Sequence, residues 1–143
     1  MSGPSFSSRR LVLLSAAVLA LALPGGGALA SPSVRLTIRH VVAHCHVWAL
    51  KGKALGPRAR LVVAPGTRLQ IRPDCPMDFD VVQIGGPRLR LGARRIYAGT
   101  TRSVAFRRTG VYRLRVTNVQ TPEERGLVTI GATNTLLLTV VVR

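Results

Sequence analysis

The sequence predicts an all-β domain, an antiparallel sandwich of seven or eight strands. Three observations carry that expectation. Apolar residues recur at every second position along most of the chain after residue 30, the period of a half-buried strand and not of a helix. Pro/Gly turn signals interrupt the pattern about every ten residues, the spacing of short sandwich strands. The composition disfavours a helical coiled coil, since Glu and Lys together are only Glu123, Glu124, Lys51 and Lys53.

Taken in order, Val34, Leu36 and Ile38 alternate with Arg35, Thr37 and Arg39. Leu61 and Val63 precede an Ala64-Pro65-Gly66-Thr67 turn, after which Leu69 and Ile71 alternate with Arg68, Gln70 and Arg72. Phe79 to Ile84 is a β-rich run stopped by Gly85-Gly86-Pro87, and Leu89 and Leu91 continue the alternation beyond it. Val104 and Phe106 lead to a Thr109-Gly110 turn, then Tyr112, Leu114 and Val116 alternate with arginines. Leu136 to Val142 is apolar on both faces and suits a central strand. The one helical signal is Thr121-Pro122-Glu123-Glu124-Arg125, with Thr121 placed as an N-cap and Pro122 at the first position.

The first thirty residues read as an address. A polar stretch ends in Arg9-Arg10, Leu11 to Leu23 carries no charge, and Ala28-Leu29-Ala30 follows a Pro24-Gly25-Gly26-Gly27 breaker. Basic start, short apolar run and small-x-small site are the parts of a secretory signal. As a helix the apolar run would cover only about 20 Å, short of the roughly 30 Å hydrocarbon layer. Export with cleavage near Ala30 is therefore expected, to the periplasm, cell envelope or medium, and an uncleaved tether is the alternative. Ser8-Arg9-Arg10-Leu11-Val12-Leu13 also resembles a twin-arginine signal. In a chain with 19 arginines, the simpler reading is an ordinary basic start. The expected organisation is a leader over 1–30 and one β-sandwich domain over 31–143, with no transmembrane segment after cleavage.

Composition narrows the function. Hydrophobic residues make up 47% of the 143, which excludes wholesale disorder. Two cysteines are too few for a four-cysteine zinc site, and five carboxylates leave little room for a paired-carboxylate hydrolase. No Ser-His-Asp order, Gly-rich phosphate loop or His-Glu-x-x-His motif is present, so a non-enzyme is expected. Without Arg9 and Arg10, 19 basic and five acidic side chains leave a formal +14. Such a field attracts polyanions, and an anionic envelope polymer or a membrane surface is the expected class of partner. Nucleic acid is disfavoured, because Trp48, Phe79, Tyr97, Phe106 and Tyr112 are the only aromatic residues after the leader and most have core parity.

Three stretches resemble the cupredoxin family in its exported bacterial form. They are Cys45-His46-Val47-Trp48, then Ala64 to Ile71 followed by Pro73-Asp74, and the Val104 to Leu114 hairpin with its Gly110-Val111-Tyr112 segment. The likeness spans roughly residues 33 to 142 and implies a Greek-key sandwich. It also implies a type 1 copper site, which needs a thiolate, two imidazoles and a weak thioether. The matching positions lack them. Met77-Asp78-Phe79-Asp80 holds no His, Thr117 stands about where the thiolate belongs, and Thr117 to Asn134 contains no Cys, His or Met. A blue-copper electron carrier is thereby excluded.

What can still bind is His40, His44 and His46, all within seven residues. On an extended strand His44 and His46 share a face with Trp48, Cys45 points away, and His40 has the same parity. His44 and His46 are the candidate copper or zinc ligands, with Met77 as third and Asp78 or Asp80 as alternatives. The competing reading packs the histidines against Trp48. Cys45 and Cys75, the only cysteines of an exported chain, are expected to form a disulfide closing about thirty residues and adding around 3 kcal/mol. Free thiols on copper(I) are the alternative. Asp74, Asp78 and Asp80 faintly resemble a hard-cation loop, but without a turn glycine they read as capping groups and counter-ions for arginines. Three functions result: a copper handler working through His44 and His46, an accessory module whose arginine-rich surface meets an anionic envelope partner, or an orphan electron-transfer protein with an unfamiliar site.

Overall fold

The structure, a computed structural model, describes residues 31–41, 46–119 and 135–143. Residues 1–30, expected as a leader, His44, Cys45 and the helical signal expected over residues 121–125 lie outside the described residues. Ten strands run in chain order: β1 (Ser33–Arg39), β2 (Val47–Leu50), β3 (Lys53–Gly56), β4 (Arg58–Val63), β5 (Arg68–Pro73), β6 (Asp78–Gly85), β7 (Arg95–Ile96), β8 (Arg102–Ala105), β9 (Gly110–Val119) and β10 (Thr135–Val142). They form two five-stranded sheets, β3-β2-β1-β5-β8 and β4-β10-β9-β6-β7. The expected all-β sandwich is the observed architecture.

Period two does its work on both sheets. Leu36 and Ile38 of β1, Leu69 and Ile71 of β5, and Leu114 and Val116 of β9 are buried, while the alternating Arg35, Arg68 and Arg115 are exposed. The two inner faces make one core around Trp48, Phe79, Phe106 and Tyr112, each fully buried. Phe106 and Tyr112 meet edge to face at 5.0 Å, and the Tyr112 hydroxyl donates to the Arg108 carbonyl at 2.7 Å. Trp48 Nε1 donates to the Leu137 carbonyl at 3.0 Å, tying the two sheets together. Each buried polar tip thus has a partner, so the aromatic area is buried without a desolvation penalty.

Three expectations need correction, and a fourth holds in part. The sheets are mixed and not purely antiparallel, because β1 pairs β5 and β10 pairs β4 in parallel. Parallel neighbours require the chain to cross between layers, information that alternation within one strand does not hold. There are ten strands in place of seven or eight, in part because β2 and β3 form a hairpin through Lys51-Gly52, both at positive φ. Leu89 and Leu91 are not in a strand. Gln83 Oε1 accepts from the Leu89 amide at 2.9 Å, and Gln83 Nε2 donates to the Pro87 carbonyl at 2.7 Å. One side chain so replaces the ladder partners of that loop, whose leucines still pack half-buried on the core. Finally, β10 is an interior strand, but only its Leu136, Leu138, Val140 and Val142 face is buried; the outer face is half-buried.

Register sorts the loops into two ends. Arg39 pairs Val47, Ile38 pairs Pro73, and Asp78 pairs Val119. Residues 40, 46, 74–77 and 118–119 therefore share one end. Arg68 pairs Ala105, and β6 finishes at Gly85 near the start of β9 at Gly110, so residues 66–68, 86–90 and 105–110 share the other.

Candidate metal centre

His46 immediately precedes β2, with the same parity as Trp48, and its side chain turns inward between the sheets. It is 1% exposed. Its ring stands edge-on to Phe79 of the opposite sheet at 5.0 Å and to His40, just past β1, at 5.8 Å. Neither Nδ1 nor Nε2 of His46 meets a hydrogen-bond partner among the described residues. Burial holds its pKa below the ordinary imidazole value, and the nearby His40 adds to the lowering. The neutral ring this favours is the form that binds metals.

Met77 is half-buried against the core at the same end, in the turn that leads into β6. Its sulfur accepts from Asn118 Nδ2 at 3.5 Å. Asn118 is a residue that the sequence reading passed over in favour of Thr117. The alternation of Tyr112, Leu114 and Val116 continues inward to 118, not 117, and that parity was the available signal. Asn118 pairs with Phe79 across β9 and β6, and its Oδ1 is buried with no partner among the described residues. Unpartnered buried polar atoms of two side chains, His46 and Asn118, thus lie at the same end of the core.

The other candidates separate clearly. Asp78 accepts from the Ala98 amide at 2.9 Å, and Asp80 sits 3.5 and 3.3 Å from Arg94 and Arg95. Asp78 caps a loop and Asp80 is a counter-ion, as the sequence suggested, and neither turns to the histidines. Among the described residues no group of three His, Cys, Asp or Glu side chains is placed to hold a metal. Cys75 is half-buried with its thiol free, and burial raises its pKa. Strand register puts Cys75 on the β5 side of β1 and the approach to β2 on the other side.

No protein-family model matches the chain, and no curated protein matches it. Among solved structures, an amicyanin variant in the Cu(I) state is 14% identical, with a TM-score of 0.42 over 78% of this chain and 82% of that one. A purple cupredoxin from Nitrosopumilus maritimus is 17% identical, with a TM-score of 0.41 over 75% of this chain and 98% of that one. A cysteine protease inhibitor from Entamoeba histolytica is 11% identical, with a TM-score of 0.43 over 78% of this chain and 96% of that one. These similarities concern the sandwich fold alone.

Proposed function

We propose that this protein is an exported, non-catalytic binding domain that takes a soft metal ion, copper(I) first, at its histidine end. The supporting observation is His46: a fully buried, neutral imidazole whose two nitrogens lack partners among the described residues. Leaving one such polar atom unsatisfied costs about 1–3 kcal/mol, so a fold that keeps the ring here has a use for it. The donors fit the ion. Imidazole and thioether are ligands that copper accepts, and the His40 and His46 rings lie within the span of two imidazoles sharing one ion at about 2 Å. Met77 is the third donor, and His44, from the neighbouring segment, is the fourth. When bound, copper would supply soft-ligand coordination; the chain's own part is to hold His46 neutral, wall it with Phe79 and keep Met77 oriented through Asn118. The inward position at the end of β9 is an amide and not a thiolate, which favours metal handling over blue-copper electron transfer.

Export belongs to the same reading, with residues 1–30 as the leader and a Cys45–Cys75 disulfide in the oxidised, mature protein. The mature mass should correspond to a chain starting at Ser31, with no thiol reactive until reduction. Two reactive thiols in freshly exported protein would remove the disulfide from the account.

The experiment is copper(I) titration of untagged protein against a competing chelator. One equivalent should bind the native chain, and none should bind His46→Leu or His44→Ala/His46→Ala with comparable affinity. Unchanged stoichiometry and affinity in both variants would overturn the reading.

A further inference from the structure

The opposite end of the sandwich is built from the other chemistry. A trough of about 830 Å³ lies between the β5–β8 side of one sheet and the loop after β6, lined by Arg68, Arg88, Arg90, Arg107 and Arg108 with Ser103. No carboxylate lines it. Among the described residues none of these five guanidiniums donates a hydrogen bond to the protein or forms an ion pair, whereas Arg94 and Arg95 are matched with Asp80. All five are exposed.

Close packing fixes their convergence. Gly86, at φ 94°, lies so near β9 that a Cβ there would stand 2.8 Å from Tyr112 Cα and nearer still to the Val111 carbonyl oxygen. A Cβ on Gly110 would meet Pro87 Cγ at 2.8 Å. The loop that carries Arg88 and Arg90 is thereby clamped to the turn that carries Arg107 and Arg108. The Tyr112–Arg108 hydrogen bond, beneath the trough floor, holds that turn in place. Five like charges brought together this way repel one another. A bound polyanion relieves the repulsion.

We infer that this trough binds a linear phosphate-bearing polyanion, several phosphate groups at a time. The planar guanidinium fork matches phosphate oxygens bidentately, which distinguishes this chemistry from attraction to any negative charge. Single-stranded nucleic acid is a poorer occupant, because the one aromatic lining residue, Tyr112, is buried and offers no stacking face. A bilayer is poorer too: the site is concave, and none of the exposed large apolar residues, Val62, Ile84, Tyr97 and Val111, lines it.

The test is calorimetric titration of the purified protein with inorganic polyphosphate at physiological salt, for the native chain and two variants of equal charge. Arg88→Gln/Arg90→Gln/Arg107→Gln removes trough groups, and Arg58→Gln/Arg60→Gln/Arg115→Gln removes exposed groups of the other sheet. The trough variant should lose at least about tenfold in affinity, the loss of one charge-assisted contact or more, and the control should stay near the native value. Poly-glutamate of matched length should bind at least about tenfold more weakly, for lack of the phosphate fit. Equal losses in the two variants, equal affinity for the carboxylate polymer, or binding confined to anionic vesicles or a thymidine oligonucleotide would each overturn the inference.

Discussion

The two ends of this sandwich are framed by the same two sheets yet hold opposite kinds of unsatisfied group. At one, the His46 ring nitrogens and the Asn118 Oδ1 are buried, uncharged and short of hydrogen bonds. At the other, five guanidiniums are exposed, charged and short of counter-ions. The difference follows from depth. A buried nitrogen has lost its water and is completed by a ligand that enters the core, whereas an exposed cation keeps its water and gains from a ligand that delivers many negative charges. A chain with a formal +16 spread evenly would give one broad basic surface. Here close backbone packing at Gly86 and Gly110 gathers part of that charge in one place.

The sharpest way to break this contrast is at its rigid element. Gly86→Ala should lower stability by about 4 kcal/mol, from a strained φ plus a clash with β9 backbone, read by denaturant unfolding. In the fraction that folds, polyphosphate affinity should fall while copper affinity persists. A variant of native stability would show that the loop is not clamped.

A smaller effect of opposite sign is expected at the histidine end. Without metal, His46→Leu should stabilise the protein by about 1 kcal/mol, because an unsatisfied polar ring gives way to an apolar side chain of similar size. With copper(I) at a hundredfold excess over its dissociation constant, the native chain should gain about 2.7 kcal/mol and the variant nothing. Destabilisation of the metal-free variant would mean that His46 has a partner within the fold.

The smallest effect is on pH dependence. The folded-state pKa of His46 lies below its unfolded value, so the unfolded chain binds the extra proton. The stabilisation is complete above about pH 6.5, the unfolded imidazole value, and is lost as pH falls through the depressed folded value. Melts from pH 7.5 down to 5 should show this decline, and His46→Leu should flatten it. The arginine end, with no histidine or carboxylate in its lining, should keep its polyphosphate affinity across the same range.

Much of the fold was legible because burial on a strand imposes period two, and Leu36/Ile38, Leu69/Ile71 and Tyr112/Leu114/Val116 obey it directly. What escaped were relations between segments. The parallel pairings depend on crossovers, and the Leu89–Leu91 alternation was overridden by one glutamine that satisfied the loop backbone. His46 was legible by its parity with Trp48. Asn118 was not, because the resemblance drew attention to Thr117. The trough was invisible for a different reason: Arg68, Arg88, Arg90, Arg107 and Arg108 come from three separated stretches, brought together by sheet order and by the close packing at Gly86 and Gly110.

The central claim is that the buried His46 ring binds copper through a nitrogen the protein leaves open. Imidazole ¹⁵N resonances, recorded before and after one equivalent of diamagnetic copper(I), test it directly. One His46 nitrogen should move to the metal-bound range, with His40 shifting in step and the arginine side-chain signals unmoved. Unchanged His46 nitrogens in a copper-loaded protein would contradict the account.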